Sequence, residues 1–268
     1  MWRRDDGPAG AERLAAILAA LRRHYVAGRG FYLRIAAPVA DGSSDEAAFA
    51  AAGFRATAVP GWASAALDLG RDLAALRAGQ AQKWRNGLNK AERLGVSVAR
   101  GEGGAALEAF LAEYRGFVAE RGFATTVTPD LLAALDRALP ERRRLVVFRA
   151  SHEGSPLGSA LIARFGDASE YLAGTLLDAG RGYNAGQILL WRAIEAMKAE
   201  GLSRFDLGGM DPKLTPKGIY DFKQGLGGVP YRYANEIEAD DAGWRARLVR
   251  WRVGRARAAV GDATEARG

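Results

Sequence analysis

Residues 144–207 constrain this chain more than any other stretch. "RLVVFRA" (144–150), "GSALIARF" (158–165) and "SEYLAGTLL" (169–177) read as three strands separated by turns, an antiparallel meander. The loop "DAGRGYNAG" then opens a helix over 187–200 that Gly201 ends, and the strand "RFDLGG" follows. A glycine-bearing loop that opens a helix leaves unpaired backbone N–H groups pointing outward together, a ready anion site. Meander, loop, helix and parallel strand in this order require an α/β (α+β) layered domain.

The remaining segments fit around that frame. Leu14, Ile17, Leu18, Leu21 and Tyr25 recur at helical spacing over 11–28. "GFYLRIA" (30–36) reads as a strand, 45–52 as a short helix, and "GFRAT" and "AALDL" as extended chain. Residues 73–95 hold helical segments ending at Gly95, and "VSVARG" begins a new strand. Helices are expected over 107–120 and 129–139, the second with Pro129 in its first turn. A last helix covers 241–258. Its Trp244, Leu248 and Trp251 share one face, and Arg245, Arg247, Arg250, Arg252, Arg255 and Arg257 fill much of the rest. Two uses of that helix are open: packing of the tryptophans onto the body, or a basic surface facing anionic lipid.

Composition removes several chemistries. The 268 residues contain no cysteine, which excludes disulfides, thiolate nucleophiles and Cys-ligated metal. Two histidines, His24 and His152, are too few for a His-rich metal site, so no metal is expected; both read as surface positions. No apolar run reaches the ~18 residues of a membrane span, and none resembles a signal peptide, so a cytoplasmic location is expected. A net charge of +7 favours an anionic partner: nucleic acid, a phosphorylated small molecule or an acidic membrane face.

Three stretches carry candidate chemistry. In "KWRNGLNKAERLG" (83–95), Trp84, Leu88 and Ala91 fall on one helix face and Arg85, Asn86, Asn89 and Lys90 on the other. Asparagine is a poor helix former, so its presence there suggests hydrogen-bonding work, with phosphate or peptide as the partner. In "RGYNAGQILLW" (181–191), Arg181, Asn184 and Gly186 approach the Arg/Gln-x-x-Gly-x-Gly/Ala pattern by which GNAT acetyltransferases hold the coenzyme A pyrophosphate. Asn184 replaces the first glycine and is the residue that best tolerates a left-handed backbone after it. In "FDLGGMDPKLTPKGIYDFKQGLGG", two Gly-Gly pairs bracket a polar loop that carries Phe222, Lys223 and Gly225. Asp206, at its start, is either a capping acid or a site residue.

Together "KWRNGLNKAERLG", "YLAGT", "RGYNAGQILLWRAIEAMKAEG", "FDLGGMD" and "GIYDFKQGLGG" resemble the FemABX-like family, peptidoglycan interpeptide-bridge aminoacyltransferases and their Gram-negative relatives, over roughly residues 30–240. The resemblance implies a GNAT-like acyltransferase fold. It further implies transfer of an aminoacyl group from aminoacyl-tRNA to an amine of a peptidoglycan or other cell-envelope precursor. Lys223 is then a catalytic cation beside the aminoacyl ester, with Asp206 as a companion acid. Asp211 and Asp221 are further candidates for a base. Arg181, Asn184, Gly186, Phe222 and Gly225 would hold the donor, and Arg85, Asn86, Asn89 and Lys90 the acceptor or an anion. No tightly bound cofactor is expected. The second reading is a GNAT N-acyltransferase using acyl-coenzyme A in envelope or exopolysaccharide synthesis. A third is a non-catalytic RNA- or membrane-binding module.

The same resemblance gives expected boundaries: a partial N-terminal GNAT-like domain over 1–98, without the family's opening strands, a complete one over 99–240, and a basic helix and tail over 241–268. A shortened first domain would expose apolar surface and favour a homodimer. Peripheral contact with the inner membrane face is also expected.

Overall fold

The computed structural model describes residues 7–121, 127–241 and 243–265. In chain order its elements are α1 (Gly7–Leu21), continued by a π-helical stretch at Arg22–Ala27, β1 (Leu33–Ile35), α2 (Ala47–Ala51), β2 (Arg55–Ala56), β3 (Ala63–Asp68), α3 (Leu73–Ala78), α4 (Gln82–Arg93), β4 (Ser97–Glu102), α5 (Gly104–Arg121) and α6 (Pro129–Ala138). There follow β5 (Val146–His152), β6 (Ser155–Phe165), β7 (Ala168–Leu176), α7 (Asp178–Gly182), α8 (Ala185–Ala199), β8 (Arg204–Asp206), α9 (Lys217–Gln224), β9 (Val229–Arg232), β10 (Ile237–Ala239) and α10 (Trp244–Glu265).

The chain forms two compact units, Met1–Ala63 with Tyr231–Gly268, and Ser64–Pro230. These limits differ from the expected breaks at 98 and 240, for a physical reason. β3 pairs with β8, Ala66 opposite Asp206 and Asp68 opposite Arg204. Leu76, Trp84, Leu88 and Ala91 share one core with Ile188, Trp191 and Ile194 of α8. Residues 64–98 therefore belong with the meander. At the other end β10 pairs with both β1 and β2, which takes the C-terminal segment into the first unit.

In the first unit the antiparallel sheet β1-β10-β2 packs its apolar side on Leu14, Leu18, Phe49 and Phe54. Acids near its C-terminal strand are paired: Arg34 with Glu236 at 2.5 Å, Arg55 with Glu238 at 2.9 Å, and Arg55 and Arg250 with Asp240.

In the second unit the sheet order is β4-β5-β6-β7-β8-β3-β9. β5, β6 and β7 form the antiparallel meander, and β7 pairs with β8 in parallel. Alternate residues serve two cores. Val146, Phe148 and Ile162 face α4 and α8; Leu145, Val147 and Leu161 face Phe110 and Leu132 of α5 and α6. A sheet covered on both faces explains why β6 reads as almost unbroken apolar sequence. At α6 the Thr128 side chain caps the helix by accepting from Leu131 N at 3.2 Å.

Two local readings are corrected. Residues 217–224 form a helix rather than a loop, entered through Pro216 and closed at Gly225. Residues 178–182 are a short helix, so only Tyr183 and Asn184 separate it from α8.

Candidate active site

β7 and β8 pair only from Ala168–Glu170 to Arg204–Asp206. There β8 ends while β7 continues to Leu176, so the sheet splays open. A cavity of about 720 Å³ occupies the opening, lined by Tyr171–Leu176 of β7, the α7–α8 entry and one face of α9. Ser159, Thr175, Arg181, Asn184, Gly186, Phe222 and Lys223 all reach it.

Lys223 lies in the last turn of α9 and is 8% exposed. Its Nζ donates to the Gly209 carbonyl at 3.0 Å and sits 5.5 Å from the centre of the Tyr171 ring. Burial pushes the amine down to about 8, and the charges of Asp206 and Glu170 hold it from falling further. Gly208 makes the arrangement possible. Its φ of +68° turns the chain back across β7, where a Cβ would come within 2.5 Å of the Tyr171 carbonyl oxygen.

Asp206 is also buried, yet fully engaged. Its Oδ1 accepts from Ser64 Oγ at 2.5 Å and from Gly208 N at 3.0 Å, and its Oδ2 accepts from Arg204 Nη2 at 3.0 Å. Three donors therefore fix the orientation of this carboxylate and occupy both of its oxygens. Glu170, its partner across the β7–β8 ladder, differs. Burial, and then the Asp206 charge, raise the Glu170 carboxyl above its ordinary range, against the pull of Lys223 and Arg204. The Tyr171 hydroxyl is pushed up to about 12 by burial and by Tyr114. On another part of the wall, Glu113 accepts hydrogen bonds from the Thr175 hydroxyl and, at 3.2 Å, from Ser159 Oγ.

Of the residues expected to hold a donor, Arg181, Asn184, Gly186 and Phe222 line this cavity, whereas Gly225 lines a smaller one. Asn184 adopts φ 54° and ψ 39° immediately before α8, the left-handed conformation its sequence position required. Gly186 lies in the first turn of α8, where a Cβ would stand 3.3 Å from Phe222 Cζ. Phe222 packs on Trp84, ring centres 6.0 Å apart, and forms a wall shared with a second cavity of about 520 Å³. Gly225 closes α9 against the same Trp84. Arg181 is exposed at the rim, 4.0 Å from Asp178.

The expected acceptor face does not join this site. Arg85 Nη1 donates to the carbonyls of Ala78 and Gln80 at 2.8 and 2.6 Å, capping the end of α3. Asn89 Oδ1 accepts from Arg77 Nη2 at 2.7 Å. Asn86 and Lys90 are exposed, and none of the four lines either cavity. Of that helix, Lys83 and Trp84 reach the smaller cavity instead. Asp221 also lines the smaller cavity and pairs with Lys217 at 2.6 Å, while Asp211 Oδ1 caps the turn at Lys213 N, 2.8 Å away. Tyr171, Glu170, Ser64 and Arg204 were not singled out in the sequence; for Tyr171 the signal was its place in "YLAGT".

The acetyltransferase (GNAT) domain model matches residues 78–224, more than half of the chain. This chain belongs to the GNAT acetyltransferase domain family. Membership makes it a transferase of acyl groups. The crystal structure of FemX superposes with a TM-score of 0.73 at 14% identity, covering 86% of this chain and 77% of that one. A conserved protein from Bacteroides thetaiotaomicron gives 0.61 at 12% identity, over 84% and 75%. The C-terminal domain of a protein described as a lysylphosphatidylglycerol synthetase, from Agrobacterium fabrum, gives 0.56 at 14% identity, over 91% and 76%. These likenesses establish a FemX-like GNAT fold. Comparison with curated protein sequences gives no match.

Proposed function

We propose that this GNAT protein forms amide bonds by direct transfer of an aminoacyl group from aminoacyl-tRNA to a primary amine of a cell-envelope precursor. The observation that carries the reading is the buried Lys223 ammonium at the wall of the β7–β8 cavity. With its amine near 8, Lys223 is mostly protonated at neutral pH. In this reading the acceptor nitrogen attacks the ester carbonyl, and negative charge grows on the carbonyl oxygen. A fixed cation in an apolar cavity stabilises that charge far more than it would in water. The nitrogen loses one proton, the C–O bond to the ribose breaks, and the ribose oxygen takes up one proton and leaves as the tRNA hydroxyl. Glu170, whose carboxyl is raised by burial and by the Asp206 charge, is the group we assign to take the proton from nitrogen and return it toward the departing oxygen. Asp206 keeps Lys223 charged. No side-chain nucleophile is required, in keeping with a chain that has no cysteine.

The FemX-like fold supports the tRNA donor. One observation favours acyl-coenzyme A as a second reading: the α8 N-terminus, with Asn184 left-handed and Arg181 at the rim, presents backbone N–H groups where a pyrophosphate could sit. The test is a donor competition. Purified protein receives radiolabelled aminoacyl-tRNA or acetyl-coenzyme A, each with a lysine-bearing muramyl peptide and a lipid-linked precursor. Label transferred from tRNA and lost in Lys223→Met supports the first reading. Transfer from coenzyme A alone replaces it with the second.

A further inference from the structure

α10 has its apolar stripe on the side turned away from the protein. Ala246 is buried, with Arg250 and Val253 beside it half-buried. Arg250 is tied to Asp240, and its Nε lies 3.5 Å from Glu238 Oε1. At 3.6 residues per turn, Trp244, Leu248 and Trp251 centre roughly 160° from that docked face. They are 70%, 42% and 55% exposed. The packing expected for the two tryptophans is therefore not what forms; an alanine and an ion pair dock the helix instead. Arg247 flanks the stripe on one side, Arg245 and Arg252 on the other, and Arg255 lies on it. Residues 244–255 contain five arginines and no acid. Two guanidiniums lie over the exposed indoles, Arg245 over Trp244 at 5.4 Å and Arg255 over Trp251 at 4.9 Å. The Arg257 side chain lies outside the described residues. No helix among the described residues is long and apolar enough to cross a membrane.

We propose that the outward face of α10 lies on the surface of an anionic phospholipid bilayer. Indoles and a leucine on one stripe, with cations along both borders, match the layering of a membrane interface: apolar groups enter the acyl boundary, and arginines reach up to phosphates. The charge pattern argues against a second copy, because paired α10 faces would bring arginine borders together. An RNA could accept the arginines and stack on the indoles, but it has no use for the aliphatic surface of Leu248 between them. The inference is independent of the donor that the cavity takes.

The test is sedimentation of the full chain with vesicles of phosphatidylcholine and phosphatidylglycerol, and of phosphatidylcholine alone. The mixed vesicles should bind it and the neutral ones should not, with binding weakening as salt rises. Trp244→Ser with Trp251→Ser should lower affinity at least about tenfold, and Arg247→Gln and Arg252→Gln about fivefold each. These side chains are exposed, and an unchanged melting temperature will verify that the variants fold. A folded chain that ignores mixed vesicles, or a tryptophan double variant that binds them equally, overturns the proposal. If the same double variant loses a single-stranded RNA or a concentration-dependent dimer while vesicle binding is absent, the face belongs to that partner instead.

Discussion

The Lys223 ammonium rests 5.5 Å from the centre of the Tyr171 ring, with the Gly209 carbonyl as its hydrogen-bond acceptor at 3.0 Å. One neutral acceptor and a ring face do not replace the water this cation has lost, so its amine falls from 10.5 to about 8. Between those values the unfolded chain binds the extra proton. Stability therefore rises with pH across that window, and below pH 8 the buried charge costs on the order of 3 kcal/mol. Lys223→Met should leave the melting temperature at pH 7 unchanged or raised and remove the slope seen by denaturant titration between pH 8 and 10. The same variant should lose about 10²–10³ in kcat. A parallel fall in stability and activity would make Lys223 structural.

The pH dependence of the rate follows with the opposite sign. If the charged form of Lys223 is the working one, kcat at saturating acceptor falls as pH rises through about 8. A lysine acting as a base would give a limb rising through the same pH. Single-turnover rates from pH 6 to 9.5 separate the two.

Gly174 stands where only hydrogen fits. A Cβ there would lie 2.1 Å from Tyr171 Oη and 3.0 Å from Cζ, with the Ser159 carbonyl at 3.1 Å. Gly174→Ala should destabilise by about 1–3 kcal/mol and turn the ring away from Lys223. Tyr171→Phe removes the nearer atom, so the double variant should recover part of that loss. A coupling energy of about 1 kcal/mol or more in the cycle is expected; simple additivity would show that the ring has room to move.

What the sequence made legible follows the range of each interaction. Trp84, Leu88 and Ala91 announce their burial by spacing alone, and Asn184 announces a left-handed turn by residue type, because both are local properties. Lys223 stood out by its motif, but its surroundings did not. Gly218 and the flanking Pro216 disguise a helix that forms only against tertiary partners. Arg85 and Asn89 looked like ligand contacts because their partners, Ala78, Gln80 and Arg77, lie on the preceding helix and its connector rather than on their own turn. Tyr171 in an alternating strand looks like core. It reaches the cavity because β8 ends at Asp206, a pairing made across 36 residues between Glu170 and Asp206. For α10 the helical wheel displayed two faces and gave no sign of which one docks.

Asn184 can be tested as a backbone device. Its φ of 54° costs an alanine about 1–2 kcal/mol but costs glycine nothing steric. Asn184→Gly should therefore keep both stability and donor affinity near the parent, whereas Asn184→Ala should lower the melting temperature and raise the donor KM with little change in kcat. If Asn184→Gly weakens the donor as much as alanine does, the amide itself makes the contact.

Asp206→Asn removes the charge of that side chain and its ion pair with Arg204 while keeping two of its three hydrogen bonds. The amide oxygen can still accept from Ser64 Oγ and Gly208 N, so the loop after β8 should hold its path. What disappears is the negative charge that keeps the Lys223 amine from falling further and that raises the Glu170 carboxyl. Two shifts should appear together. The falling limb of the rate moves below pH 8, because the ammonium is now less supported. The Glu170 carboxyl moves down, because its like-charged neighbour is gone, and becomes a weaker base. Activity at pH 7.5 should drop by about tenfold or more while at pH 6.5 it recovers in part. Direct titration of Lys223 by NMR of selectively labelled lysine checks the first shift, and an unmoved Lys223 resonance would mean that Asp206 serves the fold of the loop and not the charge of the site.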